Sequence, residues 1–482
     1  MSLQTKNIQI KVPGYVLNIA NKLKESGFTA YLVGGALRDT LLNKINADYD
    51  LTTNALPKQI QKIFPESIDV GIKFGTIIIP VYNSKQKKYH NIEITTMRQE
   101  SDYKDFRHPQ KITFINKIEQ DLSRRDFTIN AMAANLTNLE LKQQINKIQF
   151  NNIPITVDLI DPFNGLKDLN NKTIRAVGNP ISRFKEDPLR IIRACRFSAQ
   201  LQFSIEEKTY QAMQQTLKYL PNIATERIQQ EIVKLLKQAD KPSKAFYCLY
   251  NIGALKMIIP ELVNLIGVKQ PIGHIHDVFD HTMTALDITP KNLVLRLAIL
   301  FHDIAKPMTK MPDGHFYGHD IKGAYLTKKI LKRLKFSNKT IEQVSTLVRW
   351  HMFHYLPNVW TDSAIRRFIK KVGEQNLPLL FELRKADALS NPKQENPIPN
   401  LLLLKRHIER IKQQDLALTK KDLAISGNDL ITHLKLKPGP QIGVILNYLL
   451  EQVIENPSLN KKQILIEIAK DYLDNKQKLK KE

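Results

Sequence analysis

Residues 28–53, FTAYLVGGALRDTLLNKINADYDLTT, decide the fold of the first part of the chain. The apolar segment before Gly34 has the composition of a β-strand, and the sequence after Gly35 continues as a short helix that carries Arg38 and Asp39. Two glycines let backbone NH groups approach a ligand closely, and the amino end of the following helix favours a phosphate. Many strand-to-helix turns use glycines for geometry alone, so the pair by itself is weak evidence for a phosphate site.

Two aspartates follow this turn. Asp48 and Asp50 are separated by one residue in a strand-like segment, so their side chains project from the same face. Like charges this close are costly unless a cation neutralises them, and Mg²⁺ prefers carboxylate and phosphate oxygens. The pattern predicts Mg²⁺ at Asp48 and Asp50, with phosphoryl transfer assisted by two metal ions as the chemistry. A solvated turn is the alternative for the Asp-Tyr-Asp sequence taken alone.

The composition is that of a large globular chain with excess positive charge. At 482 residues it exceeds the usual size of a single core, so more than one domain is expected. The 72 Lys and Arg against 47 Asp and Glu give a net charge of +25, which favours polyanions such as nucleic acid. A Lys-rich surface that reflects an AT-rich genome is an equal alternative.

Cysteine content and hydropathy indicate the cellular compartment of the protein. Only Cys195 and Cys248 are present, which excludes a disulfide scaffold and a zinc site built from several thiolates, and fits a reducing compartment. The chain has no apolar run of membrane-spanning length and no secretory signal at its start. We therefore predict a cytoplasmic protein without membrane contact.

The hydrophobic periodicity changes near residue 150. Before it, β-like segments such as GTIIIPVY alternate with helical ones, whereas after it apolar residues recur at the three- and four-residue spacing of amphipathic helices. We predict an α+β fold, with a head of mixed sheet and helices followed by all-α regions. Segments rich in Pro and polar residues predict the divisions 1–150, 151–270, 271–392 and 393–482.

A third segment, RRDFTINAMA at residues 124–133, places two guanidinium groups beside one carboxylate. Arg125 suits a phosphate clamp, because its paired donors match phosphate oxygens. Asp126 suits the ribose hydroxyls, which donate to a carboxylate. The alternative is a capped, salt-bridged helix start.

These segments together resemble one family. LVGGALRD and DYDLTTNA are similar to the head signature of CCA-adding tRNA nucleotidyltransferases and bacterial poly(A) polymerases, which belong to the polymerase β-like superfamily. RRDFTINAMA is similar to their ribose-selecting motif, and RFKEDPLRIIRACRFSAQLQFSI to their base-selecting segment.

The resemblance implies template-independent addition of CMP and AMP to the tRNA 3′ end, by a head followed by a helical neck, body and tail. It implies metal binding by Asp48 and Asp50, and nucleotide contacts by Gly34, Gly35, Arg38, Asp39, Arg125, Asp126, Glu186, Asp187, Arg190 and Arg193. Glu93 is a further acidic candidate near the metals, with structural support as an equal alternative.

Within that resemblance, residues 186–190 are expected to select the base. Their sequence, Glu-Asp-Pro-Leu-Arg, is interpreted as the opening of one helix, with both acids on the face that carries Arg190. C and A share an exocyclic amino donor beside a ring nitrogen acceptor, so Asp187 would accept from the amino group and Arg190 would donate to the ring nitrogen. U and G would leave these groups unpaired, at about 1 to 3 kcal/mol each. Taken alone, these residues are more simply explained as an exposed ion pair on a helix.

The polar segment 98–114 is predicted to be a mobile loop. CCA-adding members of the family carry a flexible loop here that helps to switch base acceptance from C to A. Residues 105–108, Asp-Phe-Arg-His, stand where those enzymes show an Asp-Gly-Arg-His-like string, so Phe106 departs from the pattern. A solvated hairpin tip is the alternative.

A second set of ligand-type residues lies further along the chain. His281, the pair His302-Asp303 and Asp387 suit a divalent metal such as Mg²⁺, Mn²⁺ or Ni²⁺. The pattern resembles an HD phosphohydrolase domain, which implies a metal-dependent phosphodiesterase or phosphatase that acts on RNA ends. A degenerate HD fold retained for tRNA binding is the alternative. Additional candidate ligands are His319, His351 and His354.

The function expected from the sequence is therefore CCA addition, with the tRNA acceptor end, CTP and ATP as partners. A poly(A) polymerase or an enzyme that adds only CC or only A is the near alternative, because it would share the same motifs. An HD phosphohydrolase whose head merely binds RNA is the alternative from another class. The sequence leaves the oligomeric state open.

Overall fold

The computed structural model describes residues 6–44, 49–71, 75–84, 87–103, 109–139, 150–271, 275–391, 398–413 and 420–478. The chain divides into two compact units, residues 1–260 and 261–482. Asp48 and residues 105–108, to which the sequence assigns roles, lie outside the described residues. The finer division at residues 150, 270 and 392 stays a prediction.

The named strands of the described residues all lie in the first unit. They are β1 (Lys6–Pro13), β2 (Tyr31–Val33), β3 (Tyr49–Thr53), β4 (Ile68–Gly71), β5 (Thr76–Asn83), β6 (Lys88–Thr96), β7 (Arg98–Tyr103), β8 (Pro109–Phe114), β9 (Ala133–Asn135), β10 (Asn152–Ile160), β11 (Thr173–Ile174) and β12 (Ser204–Ile205). Among the described residues, eight of them form one mixed sheet in the order β1-β10-β9-β2-β3-β6-β5-β4. β3 and β6 are parallel, and the other neighbouring pairs are antiparallel.

Strand β10 belongs to this sheet, since it pairs with β1 and β9. The sheet of the head therefore extends beyond residue 150. The alternation of side chains along β5 illustrates why these segments are strands: Ile77, Ile79 and Val81 are buried and the residues between them are less so. That two-residue period buries one face of a pleated strand.

The helices of the first unit are α1 (Gly14–Glu25), α2 (Gly34–Leu41), α3 (Pro57–Ile63), α4 (Ile118–Ser123), α5 (Gly165–Asn170), α6 (Pro180–Glu186), α7 (Leu189–Leu201), α8 (Glu207–Thr216), α9 (Thr225–Gln238), α10 (Ser243–Asn251) and α11 (Ala254–Ile258), and α12 (Pro260–Val263) lies at the division between the units. The helix predicted to start at a proline does begin at Pro57. In α9 the buried positions Ile228, Ile232 and Leu235 follow the predicted helical spacing.

Residues 186–190 do not open one helix, so that prediction is wrong. α6 ends at Glu186, Asp187 has an extended backbone, and α7 begins at Leu189 after Pro188. Proline disfavours helical geometry in the residue before it and has no NH to continue the hydrogen-bond ladder. The break places Glu186 and Asp187 in different local environments.

The segment 98–114 has regular backbone on both sides of its centre. β7 and β8 pair antiparallel, with Arg98 opposite Phe114 and Tyr103 opposite Pro109. The flanks are therefore hairpin strands and not irregular loop. The mobility predicted for the segment is not tested by this geometry.

The second unit is helical in its described residues, apart from turns and one isolated bridge between Lys310 and Phe316. Its helices are α13 (Val278–Ile288), α14 (Leu293–Phe301), α15 (Lys306–Thr309), α16 (His319–Arg333), α17 (Asn338–Trp350), α18 (Asp362–Val372), α19 (Leu377–Leu389), α20 (Ile398–Lys412), α21 (Gly427–Leu434), α22 (Pro440–Glu455) and α23 (Lys462–Lys478). The predicted α+β fold, a mixed-sheet head followed by helical regions, is confirmed. Among the described residues, none of the helices combines the length and apolar composition that a membrane crossing requires.

Candidate active site

The glycine turn of the head lies between β2 and α2. Gly34 has a φ of 68°, in the left-handed region that a side chain disfavours. A Cβ atom added to Gly34 would lie 3.0 Å from Nη1 of Arg125 and 3.6 Å from Oδ2 of Asp50. The turn, the predicted phosphate clamp and one predicted metal carboxylate therefore meet at one place.

Strand β3 presents Asp50 beside a second carboxylate. In the parallel pairing of β3 with β6, Asp50 is opposite Glu93, so the two side chains project from the same face of the sheet. Asp50 is half-buried and Glu93 is exposed. Two adjacent carboxylates on one face are a donor set that suits a hard divalent cation. Asp48, the other predicted ligand, lies outside the described residues.

Arg125 is held beside the turn by a buried carboxylate. Its Nη2 lies 3.4 Å from Oδ2 of Asp121, while Arg124 makes a shorter ion pair of 2.8 Å with Oδ1 of the same residue. Burial would raise the pKa of Asp121, but the charges of Arg124 and Arg125 outweigh it and lower the pKa. Arg124 is thus structural here, whereas Nε of Arg125 is buried without a hydrogen-bond partner among the described residues.

A chain of hydrogen bonds joins the glycine-turn helix to Asp126. Arg38 forms an ion pair with Asp39 at 2.8 Å and donates from Nη1 to Oδ1 of Asn130 at 2.8 Å. Asn130 in turn donates from Nδ2 to Oδ1 of Asp126 at 3.1 Å, and Arg193 lies 2.7 Å from Oδ2 of Asp126. The side-chain amide of Asn130 therefore connects four predicted nucleotide-binding residues: Arg38, Asp39, Asp126 and Arg193.

The Asp126 carboxyl is buried and charged. Burial would raise its pKa, but the charge of Arg193 and the hydrogen bonds from Asn130 and Arg193 outweigh burial and hold the pKa well below its usual range. The same pair raises the pKa of Arg193 against the opposing effect of burial. Asp126 is therefore an acceptor over the whole physiological pH range.

The residues predicted to select the base make two separate ion pairs. Glu186 accepts from Nη1 of Arg190 at 2.8 Å. Asp187 does not pair with Arg190; it receives both guanidinium nitrogens of Arg227 on α9, at 3.1 and 2.7 Å. The helix break at Pro188 separates the two pairs, because Glu186 ends α6 whereas Asp187 lies in extended backbone before α7.

Sequence reasoning missed two groups that hold this network together. Asn130 lies inside the quoted RRDFTINAMA segment, so its motif was visible but its bridging role was not. Glu231 on α9 pairs with Arg196 at 2.5 Å and lies 3.6 Å from Arg193. The sequence signal for Glu231 was an acidic residue on an otherwise apolar face of a helix. The structure buries this residue to 3% exposure.

Gly34→Ala is expected to impair nucleotide binding and to destabilise the fold by about 1–2 kcal/mol, the cost of a side chain in left-handed geometry. The added methyl would also displace Arg125, so KM for the nucleotide should rise. Steady-state kinetics and urea unfolding measure the two effects. Gly27→Ala is the matched control, because Gly27 has a φ of 82° but an added Cβ there would meet no atom within 4 Å. It should share the loss of stability and leave KM for the nucleotide unchanged; an equal rise in KM in both variants would contradict the prediction.

Comparisons with known proteins bear on the whole chain. A family described as the poly A polymerase head domain matches residues 30–175, and one described as a probable RNA and SrmB-binding site of polymerase A matches residues 202–265. A third, described as tRNA nucleotidyltransferase domain 2 (putative), matches residues 324–469. The CCA-adding enzyme of Enterococcus faecalis is 31% identical over 94% of this chain and 94% of its own length. That of Streptococcus mutans is 31% identical over 95% of this chain and 97% of its own.

The chain belongs to the CCA-adding enzyme family. A solved relative, the Bacillus stearothermophilus CCA-adding enzyme in complex with CTP, superposes with a TM-score of 0.69 at 26% identity, over 97% of this chain and 99% of its own. The predictions of the family and of nucleotidyltransferase activity are thereby confirmed. The assignment of individual site residues stays a prediction.

In this member of the CCA-adding enzyme family, the four predicted metal ligands of the second unit lie close together. His281 on α13 lies 3.0 Å, by Nε2, from Oδ1 of Asp387 on α19. His302, just after α14, lies 3.2 Å from Oδ2 of Asp303 and 3.4 Å from Oδ1 of Asp387. All four are at most 8% exposed. Three helices separated by long stretches of sequence therefore supply one buried cluster.

Two of the additional histidines join this cluster and one does not. His319 and His351 place their Nε2 atoms 3.5 and 3.9 Å from Oδ1 of Asp303. His354 is exposed, so its suggested part in the site is not supported. The six residues form two groups, each close enough to hold one ion: His281, His302 and Asp387, and Asp303, His319 and His351.

The orientation of the imidazoles favours a cation. Nδ1 of His302, His319 and His351 lies 2.6–2.7 Å from a backbone carbonyl, which can only accept, so each Nδ1 carries a proton and Nε2 faces the cluster. This anchoring of the remote ring nitrogen is the arrangement that metal-ligating histidines use. Nε2 of His319 lies only 3.3 Å from Nε2 of His351, which places two lone pairs against each other unless a cation lies between them.

The charges within the cluster shift the pKa values of two of its histidines in opposite directions. Burial lowers the pKa of His302, but the carboxylate of Asp303 outweighs it and raises the pKa to about 10. Burial and the charge of His302 lower the pKa of His351 to about 3. Nε2 of His302 is buried without a hydrogen bond of suitable geometry among the described residues, whereas Oδ2 of Asp303 lies 2.5 Å from the ammonium group of Lys306. The set of imidazole and carboxylate donors fits a divalent transition metal.

Proposed function

We propose that this chain adds CMP, CMP and AMP in turn to the 3′ end of tRNA, from CTP and ATP and without a template. The convergence of Gly34, Arg125 and Asp50 carries the proposal, because it combines a close backbone approach, a phosphate clamp and a metal carboxylate. The CCA-adding relatives, which match over 94–95% of the chain, support tRNA as the substrate.

In this proposal Asp48 and Asp50 hold Mg²⁺, with Glu93 beside them. Bound Mg²⁺ would supply charge neutralisation of the triphosphate and a lower pKa for the attacking 3′-hydroxyl. The chain itself positions the nucleotide. Arg125 binds phosphate oxygens beside the glycine turn, and Asp126, kept ionised by Arg193, accepts from the ribose hydroxyls.

Base selection is proposed to involve Asp187 and Arg190. The hydrogen bonds of Arg190 to Glu186 and to the carbonyls of Arg183 and Arg124 use three of its five N–H groups, which leaves donor capacity for a ring nitrogen. Oδ1 of Asp187 accepts from Arg227 and from the backbone NH of Leu189, but Oδ2 accepts only from Arg227 among the described residues, so it can also accept from an exocyclic amino group. Arg227 then acts as a positioning residue that orients this carboxylate.

The decisive experiment supplies tRNAs that end before CCA, with one nucleotide at a time and then both, and sequences the products. We expect two C additions with CTP alone, one further A when ATP follows, and no addition from UTP or GTP. Products that stop after CC would contradict full CCA addition. Homopolymer growth on unrelated RNAs would identify a poly(A) polymerase instead.

A second activity is proposed for the buried cluster of the second unit: metal-dependent hydrolysis of a phosphate at an RNA end. The six converging ligands and their carbonyl-anchored imidazoles favour it over a purely structural bundle. The ligands form two groups that could each hold one ion, and Asp303 belongs to the group with His319 and His351, while its other oxygen lies 2.5 Å from Lys306.

Asp303→Asn is expected to remove bound divalent metal, because it neutralises the one carboxylate in the group formed with His319 and His351 and removes a charge that lies 3.2 Å from His302 of the other group. Elemental analysis of protein purified with Mn²⁺ or Ni²⁺ measures this, together with hydrolysis of RNA that ends in a 2′,3′-cyclic phosphate. Asp313→Asn, at an exposed aspartate of the same unit, is the matched control. Wild-type protein without bound metal or hydrolysis, yet active in CCA addition, would favour the degenerate HD fold.

A cytoplasmic location also stays a proposal, which rests on the sequence and on the proposed tRNA substrate. The oligomeric state is left open.

A further inference from the structure

The only two cysteines of the chain meet in the first unit. Cys195 lies on α7 and Cys248 on α10, 53 positions apart in sequence, and their Sγ atoms are 2.8 Å apart. Both are free thiols. The separation exceeds a disulfide bond by only about 0.8 Å. Helices α7 and α10 therefore already hold the two sulfurs almost at bonding distance.

The two thiols differ in access and in reactivity. Cys195 is fully buried, and burial raises its pKa well above the usual value. Cys248 is partly exposed on α10, so a reagent in solution can reach its thiol. Cys248 is thus the entry point for a reagent, and Cys195 is the thiol that can resolve the product.

We propose that Cys195 and Cys248 are a redox-active dithiol that reacts with small disulfides of the glutathione type and slows nucleotide addition when oxidised. The Cys248 thiolate attacks one sulfur of the small disulfide, whose S–S bond breaks and releases one small thiolate. Cys195 then gives up its proton and attacks Sγ of Cys248, which forms the protein disulfide and releases the second small thiol. The two protein thiols lose two electrons, and the small disulfide gains them.

The position of Cys195 on α7 links this chemistry to the nucleotide site. Arg193, which pairs with Asp126, lies two residues before it, and Arg196, which pairs with Glu231, directly follows it. Closing the sulfur–sulfur distance draws this part of α7 toward α10. A sub-ångström displacement of groups that hold a substrate is enough to slow a reaction. This part of the inference rests on the proposed nucleotide addition.

Mass spectrometry after incubation of the full chain with oxidised glutathione tests the dithiol. Wild type should lose two hydrogen atoms and keep no glutathione. Cys195→Ala should stop at one glutathione on Cys248, and Cys248→Ser should remain unmodified because Cys195 is buried. Unmodified wild type, or wild type that retains glutathione, would overturn the dithiol. This readout does not depend on any enzymatic activity.

The kinetic consequence is measured on the same samples. Oxidised wild type should add CMP at least about threefold more slowly than reduced protein, and dithiothreitol should restore the rate. Cys248→Ser should be insensitive to the oxidant. A disulfide that leaves the rate unchanged would overturn the coupling to α7. Reduced protein that adds no nucleotide would instead contradict the proposed function, whatever the mass result.

Discussion

Asp50→Asn is expected to lower kcat for nucleotide addition on the order of 10³-fold or more, the largest effect of any single change in the head. The substitution keeps the size of the side chain and removes the charge that Mg²⁺ requires, beside Glu93 and the glycine turn. KM for the tRNA should change little, because binding of its phosphates depends on basic residues elsewhere. Single-turnover addition of labelled CMP measures the loss.

The matched control for this prediction is Asp69→Asn, at an exposed aspartate on β4 of the same sheet. It should retain wild-type activity, and both variants should unfold at the wild-type temperature. If Asp50→Asn kept its principal activity, the head would be an RNA-binding module, and the alternative of an HD phosphohydrolase would gain support.

Asp126→Ala is expected to reduce the free energy of unfolding by about 3 kcal/mol, because it leaves the Arg193 charge in the interior without its closest partner. Asn130 and the backbone NH of Phe127 would also lose their acceptor. Urea unfolding measures the loss. Asp158→Ala, at a half-buried aspartate on β10, is the control and should cost much less.

The pH dependence of stability should depend on the same carboxyl. Since the folded state holds the pKa of Asp126 below the unfolded value of about 3.9, its stabilising contribution is complete above that value and is lost as the pH falls through the folded pKa. The gap in stability between wild type and Asp126→Ala should therefore be constant from neutral pH to about pH 5 and narrow in stronger acid. A gap that widens with acid would contradict the assigned ion pair.

Local sequence was sufficient for several features because short-range geometry controls them. Two glycines after an apolar strand predicted the turn, and Glu93, the predicted acidic neighbour of the Asp-Tyr-Asp sequence, lies opposite Asp50 on the adjacent strand. The spacing of apolar residues predicted the helices of the second unit. For the turn and the helices the signal lies within about ten residues.

Other features depended on contacts that no local pattern contains. Asp187 pairs with Arg227, forty residues later in the chain, a contact that the local sequence around Asp187 does not contain. Asn130 gained its role only because α2 brings Arg38 against it. The helix break at Pro188 was the local clue that would have separated Glu186 from Asp187.

The sequence by itself determined which chemical groups this protein has: carboxylates that suit metal ions, guanidinium groups that suit phosphates, and histidines with aspartates that suit a second metal. Residue type fixes these groups, since they carry their charges and ligand atoms wherever they are placed. Only the tertiary structure decided which groups act together. It set Asp50 beside Glu93 and Arg125, joined six ligands from distant helices, and brought Cys195 to Cys248, because the packing of strands and helices sets distances that separation along the chain does not.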